Sequence, residues 1–157
     1  MAAKKQATVE SPEPVLVITR LLNASQNLVF DAWTRPEHLK HWQGVPRGFD
    51  VTVECKDVRP GGSFRIRMQS PEFGVKRLQG VYREVQPPQR LVFTHCWLDD
   101  DGNLGKETLV TISFKACGDK TELTLRQTGF KSCESRDGHA VGWNSTLDRF
   151  EEYLATL

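Results

Sequence analysis

Cysteine is scarce and has no ligand spacing: Cys55, Cys96, Cys117 and Cys133 stand 41, 21 and 16 residues apart, and no CxxC pair occurs. That pattern excludes a zinc ribbon and a dithiol redox centre, so the expectation is four reduced thiols acting as small packing residues. Neither sign of charge prevails. Lys+Arg number 21 against Asp+Glu 20, a net charge of +1, which excludes a protein built mainly to hold a polyanion; no nucleic-acid partner is expected. No apolar run reaches the roughly 18 residues of a membrane-spanning helix. The segment from Met1 to Pro14 lacks the continuous apolar stretch of a secretory signal and carries Lys4, Lys5, Glu10 and Glu13 instead, so it reads as a disordered lead-in to a cytoplasmic protein. Internal repeats are absent as well.

What is present is enough for one core. A chain of 157 residues with 38% hydrophobic residues folds without disulfides or a structural metal, and a single domain over residues 15–157 is expected. Val15 to Leu22 reads as a strand. Ser25 caps a short helix over Gln26 to Trp33, and Pro36 opens a second over Glu37 to Trp42. Beyond the loop Gln43 to Gly48 the hydrophobic period becomes two, which places strands at Phe49 to Val58, Ser63 to Gln69, Arg77 to Val85, Arg90 to Leu98, Glu107 to Ala116 and Thr121 to Thr128. The connections are too short for parallel crossovers, so the sheet is an antiparallel meander. In Arg90 to Leu98 both parities are apolar, as in a central or doubly covered strand. From about Arg136 to Leu157, Ala140, Trp143, Leu147, Phe150 and Leu154 recur at helical steps, and this stripe has only the inner sheet face to cover. The fold class is α+β.

Particular residue blocks narrow this further. Ala32-Trp33-Thr34-Arg35-Pro36-Glu37-His38-Leu39 with Trp42, Asp57-Val58-Arg59-Pro60-Gly61-Gly62, Gly80-Val81-Tyr82-Arg83-Glu84-Val85-Gln86-Pro87-Pro88, Arg90-Leu91-Val92-Phe93-Thr94 and Gly142-Trp143 occur in that order. Together they resemble the bacterial family named after the C-terminal domain of the activator of the 90-kDa heat-shock-protein ATPase, within the START-like, polyketide-cyclase and birch-pollen-allergen-like (SRPBCC) superfamily. The resemblance spans Val15 to Leu157 and implies a helix-grip fold: a curved antiparallel sheet, two short helices after its first strand and a long C-terminal helix packed across it. It also implies an apolar cavity between sheet and helix. The walls expected on that basis are Trp42, Phe64, Ile66, Met68, Leu78, Tyr82, Phe93, Trp97, Trp143 and Leu147, with His95 as a polar contact, and the implied ligand is an apolar small molecule or lipid. Activation of the chaperone is not implied, because the eukaryotic activator engages it with an additional N-terminal domain; a co-chaperone-like interaction module is a lesser alternative.

Chemistry is harder to find than a cavity. A cyclase or hydrolase acting there needs a buried acid or base, for which His95, Tyr82, Glu54 and Asp57 are the candidates, and none forms a convincing catalytic constellation. His38 and His41 share a helix face without a third ligand, so neither metal nor cofactor is expected. His95 and Cys96, adjacent on a strand, point to opposite faces. Asp99-Asp100-Asp101-Gly102-Asn103 has its glycine at the wrong position for a calcium loop and reads as a solvated hairpin. Arg59, Arg65, Arg67, Lys76, Arg77, Arg83 and Arg90 face only Glu72 and Glu84 in their segment; alternation with buried apolar residues assigns these cations to a solvated outer sheet face. An exposed edge strand at Val15 to Leu22 leaves a homodimer open.

Overall fold

The computed structural model describes residues 13–43 and 45–157. The expected disordered lead-in therefore lies, apart from Glu13 and Pro14, outside the described residues. Among the described residues, seven strands and three helices succeed one another in the order β1 (Leu16–Leu22), α1 (Gln26–Thr34), α2 (Pro36–Trp42), β2 (Asp50–Lys56), β3 (Ser63–Ser70), β4 (Gly74–Gln86), β5 (Arg90–Leu98), β6 (Thr108–Cys117), β7 (Lys120–Thr128) and α3 (Cys133–Leu154).

Local chemistry sets the boundaries. The Ser25 hydroxyl accepts from the Leu28 amide at the start of α1, and Pro36 sits in the first turn of α2, where its missing N–H costs nothing. Between β2 and β3 the chain reverses through Pro60-Gly61-Gly62, and Gly61 has a φ of 83°, a conformation that side chains with a Cβ rarely take. The terminal helix begins three residues earlier than its hydrophobic period indicates. Ser132 caps it by accepting from the Ser135 amide at 3.0 Å, a signal of local hydrogen bonding rather than of apolar spacing.

All seven strands form one antiparallel sheet in the order β1-β7-β6-β5-β4-β3-β2. The meander runs from β2 to β7, and β1 joins it at β7, so that β1 and β2 are the edges. Central β5 is buried along Leu91 to Cys96; on its outer side the loop after it folds back, with Cys96 Sγ 3.3 Å from the Gly105 carbonyl. Two register shifts bend the sheet, one in β2 between Val53 and Cys55 and one in β4 between Tyr82 and Glu84. Such bulges raise local twist and reverse the parity of the residues beyond them. Gly80 adds a third constraint: a Cβ there would fall onto the Thr94 carbonyl and come within 2.6 Å of the Phe64 ring.

The core lies under only half of the terminal helix. Thr146, Leu147, Phe150 and Leu154 are its buried residues, and Phe150 meets Trp33 at 5.0 Å and Trp42 at 4.5 Å between ring centroids. On the other side Arg20 of β1 reaches Asp148 at 2.7 Å. The N-terminal half of α3, with Gly138 and Gly142, buries no residue against the sheet and meets it through single hydrogen bonds of His139 and Trp143. Small residues there leave a gap where a large stripe would have closed it.

Candidate functional site

That gap is a cavity of about 470 Å³, within the range of roughly 300–1,000 Å³ typical of small-molecule sites. Its floor is the inner face of β3, β4 and β5: Phe64, Ile66 and Met68, then Leu78 and Tyr82, then Phe93, His95 and Trp97. Alternation alone delivers these residues, because every second side chain of a strand points inward. The roof is α3, with Ser135, Gly138, His139, Gly142, Trp143 and Thr146, and one side is closed by Val45, Pro46 and Phe49 after α2. Two exposed apolar residues, Phe73 and Val141, stand at the rim.

Polar links hold the aromatic walls in place. Trp143 Nε1 donates to Gln127 Oε1 at 2.8 Å, Gln127 Nε2 donates to Thr108 Oγ1 at 2.8 Å, and that hydroxyl donates to the His95 carbonyl at 2.9 Å. Gln127 has no accessible surface, so this chain satisfies a buried amide and orients the Trp143 indole together. A second link runs from Trp97 Nε1 to His139 Nε2 at 2.9 Å, while His139 Nδ1 lies 2.7 Å from the Ser135 carbonyl. Because Nε2 accepts, Nδ1 carries the proton and donates.

His95 is different. The residue is 5% exposed and its Nδ1 has no hydrogen-bond partner among the described residues. Burial, with a smaller contribution from neighbouring His139, holds its pKa down to about 3, so the imidazole is neutral at physiological pH. Burial likewise raises the Tyr82 phenol above its usual range. Lys56 also lines the cavity, and although it keeps some accessible surface, burial pulls its ammonium down to about 8.

Nine of the eleven residues expected from the sequence line this cavity: Phe64, Ile66, Met68, Leu78, Tyr82, Phe93, His95, Trp97 and Trp143. Trp42 and Leu147 do not; both belong to the packed core. The Trp42 indole turns back to the Ala32 carbonyl at 2.8 Å, and Leu147 falls one helical turn beyond Trp143, where α3 has already closed on the sheet. Sequence reasoning missed Trp33, Phe49, Lys56, Phe73, Lys76 and His139. For His139 a signal existed, since it precedes Trp143 by four residues on the same helix face. Lys56 had none: the bulge at Glu54 turns Lys56 inward opposite Phe64.

Other expectations are corrected. Glu54 and Asp57 are exposed rather than inward, and Asp57 pairs with Arg59 at 2.7 Å; the bulge that carries Glu54 brings Lys56 inward and turns Asp57 out. Only Cys96 is a buried packing cysteine; Cys55, Cys117 and Cys133 are free and exposed. Of the cations assigned to the outer face, Lys76 instead stands opposite inward-facing Met68, its Nζ 5.9 Å above the Trp97 ring. His38 and His41 both meet Tyr153, His38 Nδ1 at 2.7 Å from its hydroxyl and His41 stacked at 5.7 Å. Asp99 Oδ1 accepts from the Asp101 and Asn103 amides, closing its loop on itself. Among the described residues no helix is long and apolar enough to cross a membrane.

The same geometry recurs in known structures. The AHSA1 protein of Silicibacter pomeroyi is 26% identical with a TM-score of 0.81, over 91% of this chain and 99% of that one. A protein from Rhodobacter sphaeroides is also 26% identical, with a TM-score of 0.74 over 94% of this chain and 97% of that one. At 20% identity an Arthrobacter aurescens protein shares the fold, with a TM-score of 0.80 over 96% of this chain and 92% of that one. No curated protein matches the chain. Residues 23–155 match the family described as Activator of Hsp90 ATPase homolog 1-like protein. With its curved antiparallel sheet gripped by a C-terminal helix, the chain belongs to that family and carries its START-like fold.

Proposed function

We propose that this protein binds a small, largely apolar molecule in the cavity between the sheet and α3, as one domain over residues 15–157 acting in the cytoplasm. The family's fold is generally a ligand-binding one. The observation that carries the reading is the cavity of about 470 Å³ roofed by a helix half that stands off the sheet. Its walls are aromatic and aliphatic, and the Trp143 and Trp97 indoles are fixed by hydrogen bonds before any ligand arrives. Such preorganisation lowers the ordering cost of binding. A buried apolar area of about 300 Å² contributes several kcal/mol at roughly 25 cal/mol per Å². Glu54 and Asp57 stand outside, so among the described residues no carboxylate lines the cavity to support a hydrolase or cyclase reading.

The test is titration with the neutral fluorophore N-phenyl-1-naphthylamine. Saturable binding with an emission blue shift is expected, weakened about tenfold or more in Trp143→Ala by loss of a large aromatic wall. Absence of saturable binding, or binding indifferent to Trp143, would overturn the proposal.

A further inference from the structure

The charge of the cavity has one sign. Two ammonium groups, Lys56 and Lys76, line it, and among the described residues no aspartate or glutamate does. They stand at different depths. Lys56 pairs across the sheet with Phe64 and Lys76 with Met68, four residues apart along β3, or about 13 Å at 3.3 Å per residue. Lys76 is exposed at the rim with its Nζ over the Trp97 ring. Lys56 is half-buried, and among the described residues it makes no ion pair.

The acids that share a surface groove with Lys56, Asp31 and Asp57, are paired with other cations. Asp57, next in the chain, is held by Arg59 at 2.7 Å, and Asp31 on α1 pairs with Arg35 at 3.2 Å. Glu54 stands on the bulge, exposed. A cation partly withdrawn from water without a counter-charge is costly, and a sequence that needed only an apolar wall there would be served by leucine or methionine. His95 supplies a second observation on the same inner face, three strands and about 14 Å from Lys56 at roughly 4.8 Å per strand. The register continued from the Gln79 and Cys96 pair sets it opposite Gly80, which itself pairs with Phe64, so Lys56 and His95 lie in one cross-strand row. Its Nδ1 is the buried polar side-chain atom without a partner among the described residues. Of the two, the Lys56 ammonium is the group that a ligand's charge would partner, and the His95 imidazole, neutral beside Trp97 and Trp143, stays with the apolar walls.

From this arrangement we infer that the ligand is an apolar monocarboxylate, its tail among the aromatic walls and its carboxylate on the Lys56 ammonium. The inference rests on the binding reading above and adds the ligand's charge and the residue that reads it. Ammonium and carboxylate form charge-assisted hydrogen bonds, which are strongest where water is excluded. Lys76, solvated at the mouth, attracts the same charge but holds it weakly.

The experiment is displacement of bound N-phenyl-1-naphthylamine by three probes of equal chain length: laurate, dodecan-1-ol and dodecylammonium. Laurate is expected to displace at about tenfold or more lower concentration than dodecan-1-ol, with dodecylammonium weakest. In Lys56→Met laurate and dodecan-1-ol displace at similar concentrations, in Lys56→Arg the laurate advantage is largely retained, and in Lys76→Met most of it survives. Retained binding of the fluorophore shows that each variant is folded. Equal displacement by laurate and dodecan-1-ol, preference for dodecylammonium, or a laurate advantage that outlasts Lys56→Met would each overturn the inference, while the fluorophore's own binding leaves the broader reading standing. Failure of the fluorophore to bind wild-type protein would overturn both.

Discussion

Lys56 couples stability to binding at the scale of one residue. Burial lowers its ammonium from the ordinary 10.5 to about 8, so the folded chain holds that proton less tightly than the unfolded one. Below pH 8 both states are charged and folding bears the whole cost of burying the cation; between 8 and 10.5 only the unfolded state stays charged, and stability recovers as pH rises. Lys56→Met should therefore raise the Tm at pH 7, and its advantage over wild type should shrink steadily between pH 8 and 10.5. Thermal melts of both proteins across that range check it. A constant gap would mean that the ammonium is well solvated in the folded protein. A residue that weakens the fold and faces a cavity is the usual trade between stability and function. Nothing in the sequence disclosed it. Alternation assigns Glu54 and Lys56 to one face, and a single extra residue in β2 separates them; the strand hydrophobicity that marks Phe64, Ile66 and Met68 so clearly has no counterpart in this half-exposed edge strand.

Among the elements, α3 does two things with one sequence. Its C-terminal half carries Leu147, Phe150 and Leu154 into the core, and its N-terminal half presents Ser135, Gly138, His139 and Gly142 to the cavity. The hydrophobic period located the helix and Trp143 on it, yet the same period ran through Leu147 and gave no sign of where packing stops and open space begins. That boundary depends on how far the sheet curves, which bulges and Gly80 decide. Glycine inside a helix costs about 0.5–1 kcal/mol relative to alanine. At Gly138 an added Cβ would meet no atom within 4 Å, so Gly138→Ala should stabilise the protein by about that amount. Urea unfolding with an unchanged m value measures it; destabilisation would show that this stretch of α3 is not helical in solution. Gly80 is the opposite case, a glycine whose missing side chain is the space taken by the Phe64 ring.

For the whole molecule, the open interior imposes a dependence on acid. His95 sits between Trp97 at 5.5 Å and Trp143 at 5.9 Å, with His139 at 5.7 Å between ring centroids, and none of these neighbours offers a negative charge to an imidazolium. Its pKa of about 3 against the ordinary 6.5 means that the unfolded chain takes up this proton first. The resulting stability is complete above pH 6.5 and is lost as pH falls toward 3, at about 1.4 kcal/mol per pH unit for one proton. In His95→Leu that slope should be missing. The difference in unfolding free energy between wild type and variant should move in the variant's favour by about that amount per unit from pH 6.5 downward, with the other titrating groups cancelling because both proteins share them. Chemical denaturation at half-unit steps between pH 7 and 4 reads it directly. A difference that stays flat would mean that the protonated ring finds water or an anion in the cavity, and that the wall between the sheet and α3 is wetter than its aromatic lining implies.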